Sequence, residues 1–175
     1  MPDPGTTAVV IVLPDAAPLL DAAWRIDPAL VRHGVPAHVS LLYPFVPESV
    51  LTVQDETNVR SLAASFPAAD LLLEHVVTEP GFVAVSVPEL QPIVDAFHGQ
   101  WSGLRPYGGR FGARPAAHVT VATGAGDPAA AARVRAAVGH LLPLRTRAAA
   151  VQLVVLAEDG WRPRFTAPLG GPDGA

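Results

Sequence analysis

The 175-residue sequence contains no cysteine. That excludes disulfides, thiolate nucleophiles and any zinc site built on sulfur ligands. Lysine is missing as well: all twelve cationic side chains are arginine. GC-rich coding is the simplest account, given the many Ala, Gly and Pro. One consequence is that every positive charge is a planar fork able to hold a phosphate at two points. Charge is sparse and the formal net charge is −4, which argues against a globally basic nucleic-acid binder. Long apolar runs are missing too. The run from Ala8 to Leu13 is too short for a membrane span or a signal segment, and no basic stretch precedes it. A soluble cytoplasmic protein is the expectation.

Half of the residues are hydrophobic, as in an ordinary globular chain. The nineteen Pro and fifteen Gly are spread along the sequence and read as many turns. The length suits a single domain of two lobes over residues 1–170, followed by a frayed tail at 171–175. No obligate protein partner is evident, and a monomer is expected.

Thr6 to Leu13 reads as a buried strand, Asp15 to Leu30 as a helix and Ala37 to Tyr43 as a second strand. Thr52 can cap a helix reaching Phe66. Asp70 to Thr78 and Phe82 to Val87 read as a hairpin turning at Glu79-Pro80-Gly81. Pro88 opens a helix to about Trp101. Ser102 to Arg114 is a loop, Ala117 to Thr123 a strand, and Asp127-Pro128 starts an alanine-rich helix. Ala148 to Ala157 and Arg162 to Ala167 form a closing hairpin, with Arg145, Arg147, Arg162 and Arg164 alternating there. The pattern is α+β with mainly antiparallel pairing.

One short element recurs. Pro36-Ala37-His38-Val39-Ser40-Leu41 is echoed by Ala116-Ala117-His118-Val119-Thr120-Val121. On a strand, residues i and i+2 share a face. Each copy therefore offers an imidazole and a hydroxyl to one side and buries aliphatics on the other. A single His-x-Ser/Thr is common by chance, whereas two copies with the same central Val are not. Core histidines are the competing reading, but an apolar strand gains nothing from a ring with two nitrogens to satisfy.

Two imidazoles facing one cleft make an acid–base pair that titrates near neutrality. One takes a proton from water and the other gives one to a leaving oxygen, as in-line cleavage of a cyclic phosphodiester requires. Hydroxyls at i+2 would hold the non-bridging oxygens. This scheme uses no metal or other cofactor. A metal site would need a further acidic ligand, and the nearest acids in sequence to the motifs are Asp27, Glu48 and Asp127.

The paired motifs, about eighty residues apart, resemble those of the two-histidine phosphoesterase superfamily, and within it the 2′-5′ RNA ligase-like branch. The likeness spans nearly the whole chain, from the first strand through His38 to Phe45 and His118 to Val121 to the closing hairpin at Leu153 to Phe165. It implies a bilobal α+β fold with pseudo-twofold symmetry, each lobe setting one motif on an antiparallel sheet around a central cleft. It also implies that His38 and His118 are the catalytic pair, with Ser40 and Thr120 as phosphate-binding hydroxyls. Ser40 departs from the more usual Thr and loses the methyl that fixes its rotamer. The family opens 2′,3′-cyclic phosphates, joins RNA ends through 2′-5′ linkages and hydrolyses other cyclic nucleotide phosphates. An RNA end or a small cyclic nucleotide is thus the expected partner.

Around the motifs, Tyr43 and Phe45 are candidates to stack on a base. Strict alternation turns Tyr43 away from His38, so core packing competes, and for Phe45 the intervening Pro44 leaves both readings open. The loop before the second motif offers Tyr107 and, as phosphate contacts, Arg110 and Arg114 ahead of Arg105. A solvated connection is the alternative there. A non-catalytic nucleotide- or RNA-end-binding module and a metal-dependent hydrolase on the same histidines are the alternative functions.

Overall fold

The computed structural model describes residues 4–79, 81–109, 112, 114–158 and 160–170. Its elements are β1 (Thr7–Val12), α1 (Ala17–Ile26), β2 (His38–Leu42), α2 (Val53–Ala64), β3 (Ala69–Leu73), β4 (Val76–Glu79) and β5 (Gly81–Ser86). They continue with α3 (Gln91–Gln100), β6 (His118–Ala125), α4 (Pro128–Gly139), β7 (Leu144–Ala148), β8 (Ala150–Ala157) and β9 (Gly160–Pro168). The helix starts follow local chemistry. Pro14 and Pro88 each open a 3-10 turn, Pro14–Ala16 and Pro88–Leu90, that runs into α1 and α3. Thr52 and Asp55 form a reciprocal capping box on α2. Asp127 accepts from the Ala129 amide at 2.9 Å with Pro128 behind it on α4.

Seven strands form one sheet in the order β4-β5-β6-β2-β1-β8-β9, and β3 pairs with β7 in a second sheet; the ladders are antiparallel. The topology repeats. Exchanging β1-α1-β2-α2-β3-β4 with β5-α3-β6-α4-β7-β8 maps the sheet order onto itself, leaving β9 unmatched. The local joints repeat as well: Leu13 donates to the Ala37 carbonyl and Val87 to the Ala117 carbonyl, both at 2.9 Å. Alternate residues of the large sheet (Val9, Ile11, Val39, Val85, Val119, Leu153) pack under Leu19, Val59, Phe97 and Val134 of the four helices in one continuous core. The other face carries a small apolar patch, Ala8, Val10 and Val154, and the two motifs.

The α+β class with antiparallel pairing stands as expected, and three details differ. The two motif strands are neighbours in one sheet rather than members of separate sheets, one per lobe. Asp70 to Thr78 is two strands, because the chain leaves the small sheet after Leu73 and joins the large one at Val76. Arg145 and Arg147 belong to β7, whose pairing with β3 was not anticipated, and Arg147 bonds Asp70 across that pair at 2.6 Å. Pro80 in the expected turn and the tail at 171–175 lie outside the described residues.

Candidate active site

Val39 of β2 pairs with Val119 of β6, and both are buried on the helix side. Side chains alternate, so His38, Ser40, His118 and Thr120 project together from the opposite face. Extending the antiparallel register by one residue each way sets His38 across from Thr120 and Ser40 across from His118. All four line one open cleft of ≈ 170 Å³, and each is half-buried there.

Each motif strand carries a bulge one residue past its hydroxyl. Between β1 and β2 the pairing passes from Val10↔Ser40 to Val9↔Leu42, leaving Leu41 extra. Between β5 and β6 it passes from Ala84↔Thr120 to Val83↔Ala122, leaving Val121 extra. An extra residue reverses the alternation that follows. Leu41 and Leu42 are consecutive and both fully buried, and Tyr43 then emerges on the His38 face, with Thr123 in the equivalent place on β6. The simple alternation that turned Tyr43 away from His38 is corrected by this bulge. His98 of α3 bonds the Leu41 carbonyl from behind.

The imidazoles are held alike. His38 Nδ1 lies 2.7 Å from the Pro36 carbonyl and His118 Nδ1 lies 2.6 Å from the Ala116 carbonyl. A carbonyl oxygen only accepts, so Nδ1–H donates in each ring and a neutral ring carries its lone pair on Nε2. Burial holds both rings below the ordinary histidine range, opposed by those carbonyl bonds. The positive charges of Arg32 and His118 lower His38 further, whereas the Glu79 carboxylate raises His118. Phe82 meets the His118 ring edge-on with centroids 5.1 Å apart. Among the described residues, no three His, Asp or Glu side chains converge as a ligand set.

Tyr43 and Tyr107 both line the cleft, with ring centroids 5.6 Å apart. Tyr107 is the one non-glycine with positive φ, 53°, among the described residues. Its amide donates to the Tyr43 carbonyl at 2.8 Å, and its hydroxyl shares a hydrogen bond with Ser40. Phe45 is not at the site: it is 3% exposed and packs edge-on against Trp101 in the core. The bulge and Pro44 carry the chain inward at that point. Arg114 is also elsewhere. It pairs with Asp95 of α3 and borders a separate groove beyond His118. Arg110 lies outside the described residues. Among the cleft residues that were not foreseen are Arg32, Thr123 and Trp161. Thr123 could have been found from its place five residues after His118, matching Tyr43 after His38. Arg32 and Trp161 reach the cleft through loop and hairpin contacts that no local pattern announces.

A sequence profile described as the 2′-5′ RNA ligase superfamily matches residues 13–160. The chain belongs to the 2′-5′ RNA ligase superfamily. No curated protein matches the sequence. Solved structures of this fold do match. LigT of E. coli complexed with 3′-AMP aligns with TM-score 0.60 at 18% identity, covering 95% of this chain and 99% of that one. TT0787 of Thermus thermophilus aligns with TM-score 0.58 at 18% identity, with the same coverage. LigT complexed with NADP+ gives 0.59 at 17% identity, covering 96% and 99%. The likeness to these solved structures is one of overall fold.

Proposed function

We propose that the cleft opens a 2′,3′-cyclic phosphate, on a nucleotide or an RNA end, by paired-histidine acid–base catalysis without a metal ion. The observation that supports this best is the shared face of His38, Ser40, His118 and Thr120, with both Nδ1 atoms committed to backbone carbonyls. The neutral imidazole takes a proton from water through Nε2 as the water oxygen bonds to phosphorus. The bond from phosphorus to one ribose oxygen breaks, and the protonated imidazole gives that oxygen its Nε2 proton. Ser40 and Thr120 donate to the non-bridging oxygens as charge builds on them. The product is a nucleoside monophosphate, and the two rings have exchanged protonation states. With an RNA 5′-hydroxyl in place of water and the 3′-oxygen leaving, the same step forms a 2′-5′ linkage.

Tyr43 and Tyr107 offer a base a stacking surface. The net charge of −4 favours a small nucleotide over long RNA, which usually calls for a broad basic face. E. coli LigT has been crystallised with 3′-AMP, a ligand of that size.

The test is incubation in EDTA with a 2′,3′-cyclic mononucleotide and with an RNA ending in that group, followed by chromatography and mass. Ring opening to one monophosphate isomer is expected, reduced by about 10²–10⁴-fold in His38→Ala or His118→Ala. Turnover that requires an added divalent ion, or that survives loss of either imidazole, refutes the mechanism.

A further inference from the structure

Three arginines placed near strands and helices are occupied by acids away from the cleft: Arg114 with Asp95, Arg147 with Asp70, and Arg164 with Glu56 and Glu48. Arg32 differs. It lies in the segment between α1 and β2, lines the cleft, and has no ion pair among the described residues. Its guanidinium carbon sits 5.8 Å from the centroid of the Tyr43 ring. Its charge also reaches His38 and Tyr107, so it stands over the half of the cleft that carries the first motif.

The backbone nearby makes a contact that a Cβ at Gly160 would not allow. Two residues on, Gly34 abuts Gly160 at the start of β9, and the Trp161 amide donates to the Gly34 carbonyl at 3.4 Å. A Cβ at Gly160 would lie 2.7 Å from the Gly34 carbonyl oxygen and 2.9 Å from its Cα. Both glycines have positive φ, 70° and 125°. The segment bearing Arg32 is thereby pinned to the hairpin that delivers Trp161.

We propose that Arg32, seated on Tyr43 and pinned through Gly34 and Gly160, is the arginine that clamps a phosphate group of the substrate. A guanidinium that lines the cleft and has no carboxylate partner among the described residues is suited to bidentate contact with phosphate oxygens. The phosphate is either the reacting one or a second one on the same nucleotide. The substrate follows from the hydrolytic reading of the cleft, but the assignment of Arg32 is tested by binding alone.

Calorimetric titration of the wild type, Arg32→Gln and Arg32→Lys with adenosine 3′-monophosphate and adenosine 3′,5′-bisphosphate separates the cases. Arg32→Gln is expected to weaken binding about tenfold or more, with Arg32→Lys between it and the wild type. Equal loss for both ligands assigns Arg32 to the reacting phosphate; loss confined to the bisphosphate assigns it to a second one. Gly160→Ala should weaken the same ligand and add little to Arg32→Gln. Unchanged affinity for both ligands in Arg32→Gln overturns the proposal, as does failure of the wild type to bind either at millimolar concentration. Tight Arg32-dependent binding with no turnover of any cyclic nucleotide would instead overturn the hydrolytic reading and leave the clamp standing.

Discussion

His38 faces the positive charges of Arg32 and the second imidazole, whereas His118 has the Glu79 carboxylate within electrostatic reach. The proposed reaction needs one proton shared between two rings whose burial favours the neutral form. After the Ala116 carbonyl, the Glu79 carboxylate is the group that favours the proton on His118. It lies exposed on β4, a strand that touches neither motif directly in sequence, and nothing in its own neighbourhood marks it. Glu79→Gln removes a negative charge near His118, which lowers the proton affinity of the pair. The alkaline limb of the kcat/KM profile should then move to lower pH, while the rate at the optimum changes by about twofold or less. An alkaline limb that stays in place would show that the proton is held by other groups. Tyr107 is a second case of a residue defined by tertiary structure. The loop chemistry suggested a substrate contact, yet its positive φ and its bond to the Ser40 hydroxyl come only from the folded flap.

At the level of elements, the motifs were legible and the bulges were not. Alternation from His38 to Ser40 and from His118 to Thr120 is a local property, so it could be read directly. The aliphatic fourth residue, Leu41 or Val121, looked like one more inward side chain. It is the extra residue of a bulge, and only the partner strand reveals that two residues oppose one. Misreading it turned Tyr43 to the wrong face, while Pro44 left Phe45 open. The split between β3 and β4 was hidden for a similar reason. Leu71 and Leu73 alternate as a strand, and the change of sheet after them depends on β7, about seventy residues later. His98 acts at this scale, since its ring bonds the carbonyl of the bulged Leu41. His98→Leu should cost about 1 kcal/mol in urea denaturation. It should also raise KM for a nucleotide more than it lowers kcat, because Tyr43 shifts while His38 stays anchored on Pro36. Loss of kcat with KM unchanged would mean that the bulge positions the imidazole instead.

Across the whole molecule the two repeats are interlocked. β4 closes the first repeat but pairs with β5 of the second, and β8 closes the second but pairs with β1 of the first. Neither repeat can unfold without stripping a strand from the other, so the chain should melt in one cooperative transition. That cooperativity makes the site histidines report on global stability. His38, His118 and His98 are all held below the ordinary value of 6.5, chiefly by burial. The unfolded chain then binds more protons than the folded one as pH falls from about 6.5 toward the depressed folded values. Stability is complete above that range and declines through it. Asp55, lowered mainly by its bond to Thr52, and Asp95, lowered mainly by Arg114, add a loss of the same sign below the ordinary carboxylate value of 3.8. Scanning calorimetry between about pH 8 and pH 5 should therefore show a single transition whose midpoint drops on acidification, and a shallower drop when His38 and His118 are both replaced by glutamine. If the double variant keeps the wild-type slope, the proton uptake that opposes folding resides outside the cleft, and the buried neutral imidazoles would no longer explain the acid limb of either stability or activity.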